Sequence, residues 1–194
     1  MAFGNRHSAG TVWLPTGNPD TTNISGADFT SGGGQPGSLG ITFEASNAGR
    51  TYQRVQLDSG ATAASGTGVV AANQLAYWKD KTAYIVTNDA KQAIGAPSVA
   101  ETNNNFRNNI AGIFRSAVTA GYYCDIAQRG LSVSVKTTGS PTIGDNIVGD
   151  TSATAAQGAV VSAGTALTVK SIGTARGPAV ANVTPVDLDV LNDQ

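Results

Sequence analysis

The sequence predicts an all-β protein: a small β-barrel or β-sandwich with an extended N-terminal arm. Three observations predict it. Short runs that alternate polar and apolar residues recur from about Asn109 to Gln194, glycine and Gly-Asp turns separate them, and the first 48 residues hold neither strand nor helix periodicity for long. Short strands with frequent turns are the pattern of small barrels and sandwiches.

Residues 1–48 form the arm. They contain Pro15, Pro19, Pro36 and the triplet Gly32-Gly33-Gly34, and their one dense apolar cluster is Val12-Trp13-Leu14. Such a segment loses much chain entropy on ordering and gains little burial by itself, so it orders only against something else. Trp13 sharpens the point, because a large aromatic in a loose segment is costly unless it docks. It docks either on its own body or on a neighbouring subunit, and Trp is enriched at contact anchors. Trp13, Leu14, Pro15 and Pro19 are therefore the candidate partner-contact residues.

Residues 49–194 form the β-rich body, with the strongest barrel pattern over 109–194. Arg54-Val55-Gln56-Leu57 alternates as a half-buried strand does. Ser59 to Gly68 reads as a small-residue loop. Tyr77 to Val86 reads as a hairpin with Lys79, Asp80 and Lys81 in its solvated turn. Ser98 to Asn108 is polar and Asn-rich, which predicts a loop with at most one helical turn.

From Asn109 onward the strands follow closely. Ile110 to Phe114 comes first, then Tyr122 to Ala127, then, beyond Arg129-Gly130, the period-two run Leu131 to Lys136. Pro141 to Asp145 and Gly149-Asp150 are turns. Ala159 to Val161 and Leu167 to Lys170 are short strands, and Val186 to Val190 alternates as a terminal strand. Asp187 and Asp189 share one face of that strand and could hold Ca²⁺, but a solvated edge strand is the simpler use.

The chemistry-bearing residues are few. The chain has one His, one Cys and 13% charged residues. His7 lies in the arm with no nucleophile beside it. Four soft ligands for zinc are lacking, and no cofactor-binding motif appears. The glycine stretches 32–34, 60–68 and 173–177 lack the Lys-Ser/Thr ending of a phosphate loop. Cys124 sits in an apparent strand with no basic sequence neighbour and reads as a small packed side chain. The acids available to a glycosidase pair are Glu44, Glu101, Asp125, Asp145 and Asp150, of which Asp145 and Asp150 each follow a Gly and read as turn residues. These features together predict a protein that is not an enzyme, with no catalytic, cofactor-binding or metal site.

Charge and hydropathy narrow the partners. Twelve Lys and Arg against thirteen Asp and Glu leave a net charge of -1, without the basic tract of a nucleic-acid binder. No run of about eighteen apolar residues is present to span a membrane as a helix. The N-terminal residues lack the apolar run of a signal peptide, which predicts cytoplasmic synthesis, and the lone Cys fits a reducing compartment.

The order of pieces in the second half carries a resemblance. Asn109-Ile110-Ala111-Gly112-Ile113-Phe114 leads to Val118-Thr119-Ala120-Gly121-Tyr122-Tyr123, then to Ile126-Ala127-Gln128-Arg129-Gly130 and a Val-rich strand. A Gly144-Asp145 turn follows, and Ile172-Gly173-Thr174-Ala175 precedes the last strand. This resembles the head decoration, or capsid cement, proteins of tailed bacteriophages, over roughly residues 109–194; no motif of residues 1–108 takes part. The resemblance implies a β-tulip-like barrel on the outer surface of an assembled virion, made in the host cytoplasm. It implies the major capsid protein and copies of itself, as a small symmetric dimer or trimer, as partners. A cement protein binds the lattice and stabilises it by mass action, many weak contacts acting together. Two competing readings remain. A carbohydrate- or receptor-binding module of a phage tail or fibre would use Tyr77, Trp78, Tyr84, Tyr122 and Tyr123 as stacking platforms on one open face. A small hydrolase would rely on Glu101 or Asp125.

Overall fold

The computed structural model describes residues 39–40, 42–45, 49–61, 69–89, 92–93, 109–149, 159–161 and 171–190. Twelve strands account for most of them: β1 (Thr42–Ala45), β2 (Arg50–Leu57), β3 (Val69–Val70), β4 (Leu75–Asp80), β5 (Ile85–Thr87), β6 (Ile110–Phe114), β7 (Val118–Thr119), β8 (Tyr123–Thr138), β9 (Asn146–Gly149), β10 (Ala159–Val161), β11 (Ser171–Ala175) and β12 (Val183–Asp189). The protein is nearly all-β, as the alternating runs predict. β1 lies inside the stretch read as arm, where it pairs antiparallel with β2 from Thr42↔Gln53 to Ala45↔Arg50. Residues 1–38 lie outside the described residues, as do the predicted loop over 98–108 and the predicted strand over 167–170.

The pairing order explains the architecture. β2, β5, β4, β6 and β8 bond in sequence, and β8 bonds back to β2, which closes a five-stranded barrel. β8, β10, β9, β11 and β12 form a second circuit, and β12 returns to β8. The two circuits share β8. Its first half pairs with β2 (Cys124↔Val55, Asp125↔Arg54) and its second half with β12 (Val133↔Val186, Lys136↔Val183). Closure removes the edges that make open sheets prone to association.

β8 departs from the expectation of two strands broken at Arg129-Gly130. It is one strand of 16 residues that bends there instead of turning. Gly130 takes φ 147° and Ser132 φ 50°. A Cβ at Gly130 would collide with the Arg50 side chain and lie 3.1 Å from its Cα, so glycine is required for β2 to pass so closely. A second difference concerns β12. It is bonded to β8 on one side and β11 on the other, so it is an interior strand and not the solvated edge expected of Val186 to Val190.

Alternation along the strands, interrupted on β6 at Gly112 where the register with β4 shifts, places two cores on opposite faces of the same strands. Ala76 and Trp78 of β4, Ala111 and Phe114 of β6, Val55 and Leu57 of β2, Val86 of β5, and Cys124 and Ile126 of β8 fill the barrel interior, with Val70 and Val118 of the β3–β7 pair packed on them. The intervening residues Leu75, Tyr77, Ile110 and Ile113 face outward and join Val133, Val135, Ile147, Ile172, Val186 and Leu188 of the second circuit. The barrel's outer wall is thus the floor of the second core. Gly149 of β9 shows how close the approach is: a Cβ there would stand 3.1 Å from Ile110 Cδ1 and 3.4 Å from the Tyr77 hydroxyl. A shared core and a shared strand bind the two circuits into one body.

Candidate contact surface

Most described groups capable of chemistry are committed to the fold. Arg54 and Asp125 face each other across β2 and β8, on the side opposite the interior pair Val55–Cys124. They form a bidentate ion pair, Nε to Oδ1 at 2.8 Å and a terminal nitrogen to Oδ2 at 3.0 Å, with both residues under a tenth exposed. Fork-to-fork geometry of this kind is the strong form of a charge-assisted hydrogen bond. Beside it the Arg115 guanidinium lies 4.5 Å above the Tyr52 ring and donates to the hydroxyl of Tyr52. Asp125, one of the two acids on which the hydrolase reading rested, is therefore a buried structural carboxylate.

Asp145 acts as a turn residue, as its Gly-Asp context predicts. Its Oδ2 accepts from the Thr142 amide at 2.7 Å and the Thr142 hydroxyl at 3.0 Å. Asp187 also has structural work: Oδ1 accepts from the Ser132 amide at 3.2 Å, and Oδ2 pairs with Arg176 at 2.5 Å. Among the described residues no group of three or more His, Cys, Asp and Glu is placed to hold a metal ion.

Cys124 is a packed thiol of the barrel interior, and burial, with Asp125 nearby, pushes its pKa far above the ordinary 9.0. The native thiol thus stays protonated where the unfolded one ionises. Above about pH 8.5 the unfolded chain binds fewer protons than the native one, so stability falls with rising pH, by up to about 1.4 kcal/mol per pH unit from this group. Urea titrations between pH 8 and 10 should show that slope, and Cys124→Ala should remove it. Equal slopes in the two proteins would mean that Cys124 is not insulated in the barrel.

Among the described residues, the second circuit carries three of the four large apolar side chains left in solvent, Leu131, Ile143 and Val180; the fourth, Val69, is on β3. Ile143 and Val180 are each 74% exposed. Ile143 tops the Thr142-to-Asp145 turn, which Gly144 closes at φ 91° and docks on β11 through its amide to the Ala175 carbonyl at 2.9 Å. Val180 opens the two-residue turn Ala181-Asn182, whose residues take φ 51° and 62°; the flanking Val180 and Val183 donate to each other's carbonyls at 2.9 and 3.0 Å. Consecutive left-handed residues define the tight hairpin turn that matches strand twist, a position where glycine is the unstrained choice. Leu131 is exposed at the bend of β8, where Arg50 donates to the Leu131 and Ser132 carbonyls at 3.3 Å. Tight turns therefore display Ile143 and Val180, while Leu131 is displayed by strand β8. The sequence carried one sign of this, a branched apolar residue inside the Pro141-to-Asp145 turn, but the turn reading alone assigned it no role.

The residues singled out from sequence fall elsewhere. Trp13, Leu14, Pro15 and Pro19 lie outside the described residues, as do His7, Glu101 and Asp150. Of the aromatic platform, Tyr77 and Trp78 are buried in the two separate cores. Tyr84 and Tyr122 pack half-buried against the barrel core, with Tyr84 edge-on to Trp78 at 6.5 Å between centroids. Tyr123 is likewise half-buried, at the start of β8. Among the described residues no helix is long and apolar enough to cross a membrane. Compared with known proteins, the chain matches no protein-family model and no curated protein sequence.

Proposed function

We propose that this chain is a structural virion protein that binds the outside of an assembled phage capsid and stabilises it by clamping adjacent capsomers. The observation that carries the reading is the construction of the body: two closed strand circuits share β8 and a common core, and Asp125, Asp145 and Asp187 are taken up by turns and ion pairs within it. A cement protein needs stiffness and contact surface, and no titrating group, because it works by preferring the assembled lattice to the free subunit. The resemblance of residues 109–194 to head decoration proteins points the same way. Its partners would be the major capsid protein and copies of itself. The receptor-binding alternative gains nothing from the buried Tyr77 and Trp78.

Copy number tests the proposal directly. In purified particles of the source virus, this chain should stand near one copy per major shell protein. A handful of copies per particle would move it to the tail or fibre, and absence would overturn the virion reading. The N-terminal segment carries a separate expectation. Deleting residues 1–20, and with them Trp13, Leu14, Pro15 and Pro19, should weaken attachment to empty shells at least tenfold in a pelleting assay. The β body should keep its far-ultraviolet spectrum and unfolding midpoint. Unimpaired attachment would remove these residues from the mechanism.

A further inference from the structure

Gln128 stands on β8 where the two circuits meet. Arg129 pairs with Thr51 of β2 and with Asp189 of β12, while Ala127 pairs with Tyr52 of β2 and with Ile113 of β6, so β6 and β12 share the edge of β8 opposite β2. Along that edge β6 pairs as far as Ala127, and the β12 chain takes over from the Val190 amide, which donates to the Gln128 carbonyl at 2.9 Å. On the other edge the register with β2 slips between Thr51 and Tyr52, which leaves Gln128 as the extra residue of a bulge. Gln128 is nevertheless only 1% exposed. Its Nε2 donates to Gln53 Oε1 at 2.7 Å and to the Ala111 carbonyl at 3.3 Å, which uses both amide hydrogens. Its Oε1 is buried and receives no hydrogen bond from the described residues.

We propose that Gln128 Oε1 binds an internal water molecule, which donates to it and completes the joint between the two circuits. Two backbone carbonyls fix the direction of the amides around it. Gln53 Nε2 donates to the Gly40 carbonyl at 3.1 Å, as Gln128 Nε2 does to that of Ala111. Carbonyls only accept, so turning either side-chain amide over would set oxygen against oxygen. Oε1 is thus the acceptor left over, and internal waters stand at buried acceptors of this kind because leaving them without a donor is costly. The handover from β6 to β12 and the bulge opposite β2 interrupt the ladders on both edges beside this residue, which is where a sheet admits water. The ligand is a neutral donor: one free amide oxygen does not replace the hydration shell of a cation, and no group of three or more His, Cys, Asp and Glu gathers among the described residues to do so. The site does not depend on the capsid reading, since it concerns the free protein.

A high-resolution crystal structure of the full chain, with magnetic relaxation dispersion of water in solution, tests it. The expected result is a water oxygen about 2.7–3.0 Å from Gln128 Oε1. Relaxation dispersion counts the waters held for longer than the protein takes to tumble. Gln128→Met keeps the length of the side chain and removes its acceptor, so it should lose one such water. If Gln128→Met does not fold, a nuclear Overhauser contact between a long-lived water and the Gln128 side-chain amide of the unaltered chain decides. A dry Oε1 in the crystal structure, a group of this chain donating to it in place of water, or a folded Gln128→Met with the same number of long-lived waters would overturn the proposal.

Discussion

Asp125→Ala is expected to destabilise the protein by about 3–5 kcal/mol, because it strands the Arg54 guanidinium beneath the surface without its counter-charge. Arg54→Ala should cost a similar amount by leaving the carboxylate alone. The double replacement Arg54→Met with Asp125→Leu should recover most of the loss, since desolvating two charges offsets much of their attraction, and apolar side chains of similar volume carry no such penalty. Chemical denaturation of the four proteins closes the cycle. A double variant as unstable as the sum of the singles would show that the pair does more than neutralise itself. Single variants that lose less than about 1 kcal/mol would mean that water reaches the pair. The same experiment bears on function: a carboxylate held by two short bonds to a buried guanidinium is a structural acid, and its replacement should act through folding alone.

Phe114→Ala should cost about 3–5 kcal/mol and Ile113→Ala about 2–5 kcal/mol, although the two side chains are sequence neighbours and share no core. Phe114 points into the closed barrel among Val55, Trp78, Val86 and Ile126, while Ile113 points out into the cluster shared with Val133, Ile147 and Val186. Both are fully buried, and closed circuits leave little room for the walls to collapse into a cavity. Urea unfolding should lower the midpoint in both variants and keep the slope unchanged, because a body built on a shared strand and a shared core unfolds as one unit. Separate transitions in either variant would show that the two circuits are independent domains. A loss under about 1 kcal/mol for Phe114→Ala would mean that the barrel does not pack around it.

Much of this was legible in the residues. Alternation in Arg54-Val55-Gln56-Leu57, the Tyr77-to-Val86 hairpin, the run Ile110 to Phe114 and the Asp145 turn appear where periodicity and turn chemistry place them, because each depends on neighbours a few positions away. The absence of polar positions from Ile110 to Phe114 even carried a clue to burial on both faces, which the structure resolves into two cores. The inert reading of Cys124 likewise follows from its apolar company and holds in the barrel interior.

What the sequence by itself determined is the class: strands, turns and an all-β body short of chemistry-bearing residues. The tertiary structure decided how the strands close. Arg129-Gly130 reads locally as a break, yet β8 runs through it, because what the glycine accommodates is Arg50, a residue far away in the chain. Val186 to Val190 reads as an edge, yet β12 is interior, because β8 is long enough to serve both circuits. Arg54 and Asp125 look like unrelated surface charges until the register of β2 on β8 sets them face to face. Period-two alternation says which residues share a face; only the pairing of distant strands decides what that face meets, and pairing is won by burial and hydrogen bonding summed over the whole sheet.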